Sequence, residues 1–210
     1  METAAGHYGR KEKMKIYDIS QEVFSSVVFP GDPAPKREIL ASVQAGDVCN
    51  LTAFSMCAHN GTHIDAPYHF LNDGKTVEAL PLSKTVGEAY VTHFNGILGA
   101  DDAARILSLA QEKSQECAKR ILIGGKATVS LEAAEVFAKA KIDLIGNESQ
   151  TVGPENAPMA VHKVLLGAEV VLLEGIRLEQ VPQGPYLLSA APLSLSGADG
   201  APCRALLIKV

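Results

Sequence analysis

His59-Asn60-Gly61-Thr62-His63-Ile64-Asp65-Ala66-Pro67-Tyr68-His69 places three imidazoles and one carboxylate within eleven residues, and it holds half of the chain's six histidines. These side chains are the preferred ligands and general bases of a hydrolytic transition-metal site. A structural histidine network is the plainer alternative, but such groups are costly to bury without partners. His59 and His63 are four apart and would share one face of a helix. Gly61 between them and Pro67 after them oppose a helix. In an extended backbone, His59, His63, Asp65 and His69 share parity and point to one side. On a straight strand, His59 and His63 would stand roughly 13 Å apart, at about 3.3 Å per residue, which is too far to share an ion. Gly61 tolerates positive φ and permits the bend that closes this gap. Pro67 then fixes a turn that aims His69 back at the cluster.

Outward from this stretch, the pattern alternates strands with helices. Asp47 to Cys57 reads as a strand that delivers the chain into the motif, preceded by a Pro- and Gly-punctuated loop from Ser25 to Lys36 and a first strand from Lys15 to Ile19. Asp73-Gly74 marks a turn. Ala89 to Phe94 is a strand, and His93 on it reads as an ordinary strand residue rather than a ligand. Asp101 caps a helix running to Lys119 with an apolar stripe at Ile106, Leu107, Leu109 and Ala110. Ile121 to Ile123 is a short buried strand, and Ser130 caps a helix from Leu131 to Ala140. Ile142 to Ile145 is the next strand. A helix opening at or just after Pro154 carries His162 and stops near Gly167. Glu169 to Leu173, Leu187-Leu188, Leu193 to Leu195 and Arg204 to Val210 complete the strands. The expectation is an α/β fold, a single domain with a curved mixed sheet flanked by helices.

The 210-residue length fits one domain with a sizeable core. A net charge of −5 argues against nucleic acid and anionic membranes as partners. No apolar run reaches the roughly 18 residues of a membrane span. Met1 to Lys13 lacks the apolar core of a secretory signal and reads as a disordered extension, so His7 receives no role. The four cysteines, at 49, 57, 117 and 203, form no C-x-x-C pair and read as reduced thiols of a cytoplasmic protein. Cys57 lies two residues before His59, and its simplest reading is a small buried hydrophobe.

The pattern H-x-G-T-H-x-D-x-P-x-H resembles the signature of the metal-dependent cyclase-like hydrolases, a family that includes bacterial kynurenine formamidases. A second block agrees: His162, and then Glu174 twelve residues later at the end of Val170-Val171-Leu172-Leu173-Glu174-Gly175. The resemblance extends to Asp18-Ile19-Ser20, Pro30-Gly31-Asp32, Leu144-Ile145-Gly146 and a closing segment through Asp199-Gly200-Ala201-Pro202 and Arg204. It covers residues 14–210. It implies a swivelling β/β/α fold, a homodimer or larger homo-oligomer, metal ligands at His59, His63, Asp65, His162 and Glu174, and a catalytic role for His69. Phe29 stands where the formamidases usually carry a Trp wall for an aromatic substrate, and this chain has no Trp. Phe29 is therefore the candidate substrate-binding residue. The stretch from Ile121 to Ser130 is also shorter than the family's loop there.

Five ligands exceed the three of a usual mononuclear catalytic zinc site. Two carboxylates allow bridging, so the set fits two divalent ions: His59 and His63 on one, His162 on the other, Asp65 and Glu174 shared. Imidazole and carboxylate favour Zn²⁺, and the harder carboxylates also admit Mn²⁺. Glu174 ends an apolar strand, where a buried carboxylate needs such a partner. His69, left uncoordinated, titrates near neutrality and suits proton transfer. Glu148, Ser149 and Gln150 stand at the mouth of the same pocket or behind its ligands, and Thr62 supports the ligand turn by local bonding. The expected reaction is hydrolysis of a non-peptide carbon–nitrogen bond in a small molecule, a formamide, an amide or a cyclic amide; the resemblance implies an aryl formamide such as N-formylkynurenine. A cyclic amide such as isatin is the nearest alternative substrate. A metal-binding protein without turnover is the alternative of a different class, and the retained His69 weighs against it.

Overall fold

The computed structural model describes residues 14–209; the expected N-terminal extension, with His7, and the terminal Val210 lie outside them. In chain order the elements are β1 (Lys15–Asp18), β2 (Lys36–Ala41), β3 (Leu51–Ser55), β4 (His63–Asp65), β5 (Val86–His93), β6 (Gly96–Leu98), α1 (Ala100–Gln111), β7 (Arg120–Gly124), β8 (Ala127–Val129), α2 (Leu131–Ala140), β9 (Leu144–Asn147), α3 (Met159–Gly167), β10 (Val171–Glu174), β11 (Gly184–Ser189), β12 (Gly200–Pro202) and β13 (Leu206–Lys209). One nine-stranded mixed sheet has the order β1-β13-β11-β5-β7-β9-β10-β4-β12. Its middle strands β5, β7, β9 and β10 are parallel. The strands on either side of them are antiparallel.

Side-chain alternation explains why both faces of this sheet are buried. Ile121, Ile123, Ile145 and Leu172 point to one face, where they meet Ile106, Phe137 and Leu165 from the three helices. Leu122, Leu144, Val171 and Leu173 point to the other and join a second core. Ile64 and Ala201 from one end of the sheet and Leu207 from the other meet in that second core, so the sheet curls over itself. The expected α/β domain with a curved mixed sheet is observed.

Several boundaries differ from expectation for identifiable reasons. The helix expected to reach Lys119 ends at Gln111, and Cys117–Lys119 forms a separate 3₁₀ turn. The Ser114 hydroxyl accepts from Cys117 N–H, which opens that second turn. The first helix is capped through Gly99, whose N–H donates to the Asp102 carboxylate, rather than by Asp101. Leu193 to Leu195 is not a strand; Pro192 and Cys203 make an isolated bridge, and Gly200–Pro202 supplies the edge strand instead. β2 lies where no strand was expected and pairs with β3 in a hairpin outside the main sheet. Ser130, by contrast, caps α2 by accepting from Ala133 N–H, as its position before the apolar run predicts.

Candidate metal centre

β4 is three residues long and wholly buried, between β10 and β12. Alternation along it sends Ile64 into the second core and leaves His63 and Asp65 together on the opposite side. In the antiparallel register, Glu174 lies directly opposite His63, so strand pairing alone brings the two side chains to one face. Glu174 is also the last residue of β10, and β9 ends beside it at Asn147. The site thus forms at the carboxyl ends of parallel strands, where open α/β sheets leave a crevice.

The motif is extended only across β4. Before it the chain turns at Gly61, whose φ of +65° is the left-handed conformation that glycine tolerates. A Cβ at Gly61 would lie 2.8 Å from Ser26 Cβ. After β4, Pro67 opens a 3₁₀ turn, Pro67–His69, that brings His69 back to the cluster. The His59 and His69 rings stack with centroids 4.0 Å apart. Gly200 makes room for His59, since a Cβ there would meet the ring at 2.7 Å. Thr62 holds this turn through a distant rather than a local contact: its hydroxyl donates to Gly175 O at 2.8 Å and accepts from Gln21 N–H.

Two imidazoles present the same nitrogen inward. His63 Nδ1–H donates to Gly61 O at 3.0 Å, and His162 Nδ1–H donates to Pro158 O at 2.9 Å. Backbone carbonyls thereby fix both rings with Nε2 facing the carboxylates, the arrangement that commonly orients metal-binding histidines. His63 Nε2 lies 3.3 Å from Asp65 Oδ1 and 3.5 Å from Glu174 Oε2. His162 Nε2 lies 3.6 Å from Asp65 Oδ2 and 3.3 Å from Glu174 Oε1. His59 reaches Asp65 from the other side, with Nδ1 at 2.8 Å from Oδ1. The other four side chains expected as ligands therefore converge around Asp65.

The His59–Asp65 contact has the length of a hydrogen bond, but the separations around His63 and His162 fit an ion better. Charge-assisted N–H···O bonds run about 2.7–2.9 Å. Two ligand atoms held tetrahedrally at about 2.0–2.2 Å from zinc stand about 3.3–3.6 Å apart. The four contacts of His63 and His162 fall at that spacing, and Asp65 Oδ2 is buried with no hydrogen-bond partner. The donor set therefore fits a divalent ion.

Electrostatics separate His69 from the other imidazoles. Burial alone would depress His63, but Asp65 and Glu174 outweigh it and hold the ring up at about 10. His59 and His162 are likewise raised against burial, by Asp65 and by Glu174 respectively. Burial opposes ionisation of Asp65, yet His59 and His63 hold its carboxyl well below the usual range. His69 goes the other way: burial dominates and lowers it, so the ring is neutral near pH 7. It lines a cavity of about 370 Å³ together with Phe29, Phe70, Gln150 and the metal-facing groups.

Among the other expected residues, Phe29 and Gln150 reach this cavity. Cys57 is half-buried and also lines it, 3.7 Å from Asp32. Glu148 turns away and accepts from the N–H groups of Gly125 and Leu178, and His93 bonds Val181 O. Asp199, Thr151 and Phe70 also line the cavity. Asp199 lies in the closing segment of the resemblance but was assigned no role there. Its sole sequence signal is its place in that segment, because its contacts lie 140 and 130 residues away, at His59 and His69.

The family model described as a putative cyclase matches residues 17–154. The chain belongs to the cyclase family. This cyclase-family chain is 31% identical to the kynurenine formamidase of Erythrobacter litoralis, over 94% of its own length and 95% of the relative's. A solved structure titled as a potential metal-dependent hydrolase with cyclase activity is 29% identical, covers 94% of the chain and 99% of its own, and superposes with a TM-score of 0.78. Isatin hydrolase A of Labrenzia aggregata shares the cyclase fold, with a TM-score of 0.77 at 21% identity over 93% of each chain.

Proposed function

We propose that this protein is a metal-dependent hydrolase of a non-peptide carbon–nitrogen bond, acting on N-formylkynurenine or a closely related aryl formamide. The observation that carries this reading is the buried convergence of His63, His162, Asp65 and Glu174 at metal-ligand spacing, with half-buried His59 against Asp65 and neutral His69 at the open edge. The near full-length relatedness to kynurenine formamidases supports it. The hydrolase domain spans residues 14–210.

Those five side chains would hold two divalent ions, Zn²⁺ ahead of Mn²⁺, since imidazole and carboxylate donors suit both. The bound ions would lower the pKa of a water and polarise a carbonyl oxygen. The protein's own groups do the rest. His63 and His162 are pinned through Nδ1, so their ligand nitrogens need little reorganisation. His69 is neutral and faces the cavity, so it can take a proton from attacking water and return it to the leaving nitrogen. Phe29 and Phe70 offer flat apolar walls to an aromatic ring. The buried amide atoms of Gln150 have no partner among the described residues, and a substrate amide would satisfy them.

The working unit in this reading is a homodimer. The β2–β3 hairpin exposes Ile39, Leu40, Leu51 and Phe54, with Val48 fully exposed near its turn. A two-stranded hairpin is marginal alone in water, and a second copy would cover these side chains. None of the four cysteines is paired, consistent with a reducing cytoplasmic setting. Among the described residues no helix is long and apolar enough to cross a membrane.

Spectrophotometric assays on N-formylkynurenine and isatin, with and without chelator, test the function. Chelator-sensitive hydrolysis of the formamide is expected. Turnover of isatin alone would move the substrate to cyclic amides, and turnover of neither would favour a binding protein.

A further inference from the structure

Asp199 touches both imidazoles at the mouth of the cavity through one oxygen. Its Oδ2 lies 2.9 Å from His59 Nε2 and 3.1 Å from His69 Nδ1. A carboxylate oxygen only accepts, so each of those ring nitrogens carries the proton between them. His59 Nδ1 also faces a carboxylate, Asp65 Oδ1 at 2.8 Å, so in the metal-free ring both nitrogens carry protons, and Nδ1 is the one that faces the cluster of Asp65, His63 and Glu174. In a neutral His69 the lone pair is on Nε2, which has no protein partner among the described residues and lies on a ring that lines the cavity.

We propose that Asp199 is a positioning residue: it fixes the tautomer of His69, leaving Nε2 as the base, and it keeps the Nε2 proton of His59, leaving Nδ1 as the nitrogen that would give up its proton to a metal. This rests on the reading of His59 as a ligand and His69 as the base. The surrounding geometry holds the carboxylate in place. Ala66 N–H donates to Asp199 O at 2.9 Å, so the residue is pinned where the chain enters β12. Gly200 next to it leaves space for the His59 ring, and the stacked rings present their nitrogens to the same oxygen. A carboxylate behind a catalytic imidazole also stabilises the imidazolium that forms as the base accepts its proton. One behind a ligand imidazole raises ligand basicity and fixes its orientation. Asp199 performs both tasks, and it ties the orientation of the base to that of a ligand ring. The Asp199 side chain is 42% exposed, so water can replace part of its effect.

The test is long-range ¹H–¹⁵N NMR of the zinc-loaded full chain labelled at histidine, with His69 assigned by its loss in His69→Gln. Free imidazole in water favours the Nε2–H form, so an Nδ1–H signature for His69 in the wild type is diagnostic and is the expected result. In Asp199→Asn this signature should be lost. Held in excess zinc, the same variant should stay metal-loaded, with zinc affinity lowered about 10- to 100-fold, and should keep its KM for N-formylkynurenine within about twofold while kcat falls about 10- to 100-fold. An Nε2–H signature in the wild type would overturn the proposal, and this arm needs no variant to fold. So would an Asn variant with unchanged tautomer and unchanged kcat. If no formamide is turned over by the wild type, the substrate reading fails while the tautomer still decides the role of Asp199. If formamide is turned over and the tautomer ignores Asp199, only this inference fails.

Discussion

Zinc binding to the metal-free protein should release protons, and the site sets a minimum number. His63 is held up at about 10 by Asp65 and Glu174 in spite of its burial. A group of that pKa is about 99% protonated at pH 8, where an ordinary histidine near 6.5 would be almost wholly neutral. A ligand nitrogen must shed its proton to bind. His63 alone therefore releases close to one proton per chain at pH 8, and the raised His59 and His162 add to it. Because the folded value is raised, the carboxylate–imidazolium pairs stabilise the metal-free protein fully below about pH 6.5. That contribution is lost as pH rises through about 10. Zinc competes with the proton throughout that window, so its apparent affinity should rise about tenfold per pH unit for each proton displaced between pH 7 and 9. Isothermal titration at pH 8 in buffers of differing ionisation enthalpy reads the number directly. A slope of at least about one proton is expected. A slope near zero with affinity flat from pH 7 to 9 would refute the electrostatic description of the site.

Three further outcomes follow from the same geometry. His69→Ala should retain metal and fold but lose about 10²- to 10⁴-fold in turnover, whereas His63→Ala should lose metal as well; equal metal loss in both would make His69 a ligand. Gly61→Ala places a Cβ 2.8 Å from Ser26 Cβ at φ +65°, so urea unfolding should show a loss of at least about 1–2 kcal/mol; a change inside about 0.5 kcal/mol would mean that the turn needs no glycine. Light scattering should give a mass at least twice the 22.2 kDa of the chain, and Phe54→Asp should shift it toward the monomer; a wild-type monomer at working concentration would remove the role given to the hairpin.

The ligand motif was readable because short-range constraints dominate it. Gly61 and Pro67 dictate turns on either side of a short strand, and the structure bends at those two points. Ser130 marked the start of α2 for the same reason, since a cap and its apolar run are local. Sequence could not show that β4 lies opposite β10, because register is a tertiary property; yet that pairing is what puts Glu174 beside His63. Asp199 was missed as a site residue because its partners are more than a hundred residues away and its strand is Gly-Ala-Pro, which carries no alternation. β2 was missed because Lys36–Ala41 exposes both faces and so shows no period-2 pattern. Leu193 to Leu195 looked like a strand by composition, but the pairing there is the single bridge of the preceding Pro192 with Cys203.

The central claim is that the buried imidazole–carboxylate cluster is a metal centre. Elemental analysis of the full chain after mild purification, and again after incubation with zinc and with manganese followed by desalting, tests it most directly. The account predicts up to two divalent ions per chain, lost together when His63 and Glu174 are replaced by Ala and Gln. A chain that remains metal-free after both incubations would contradict it.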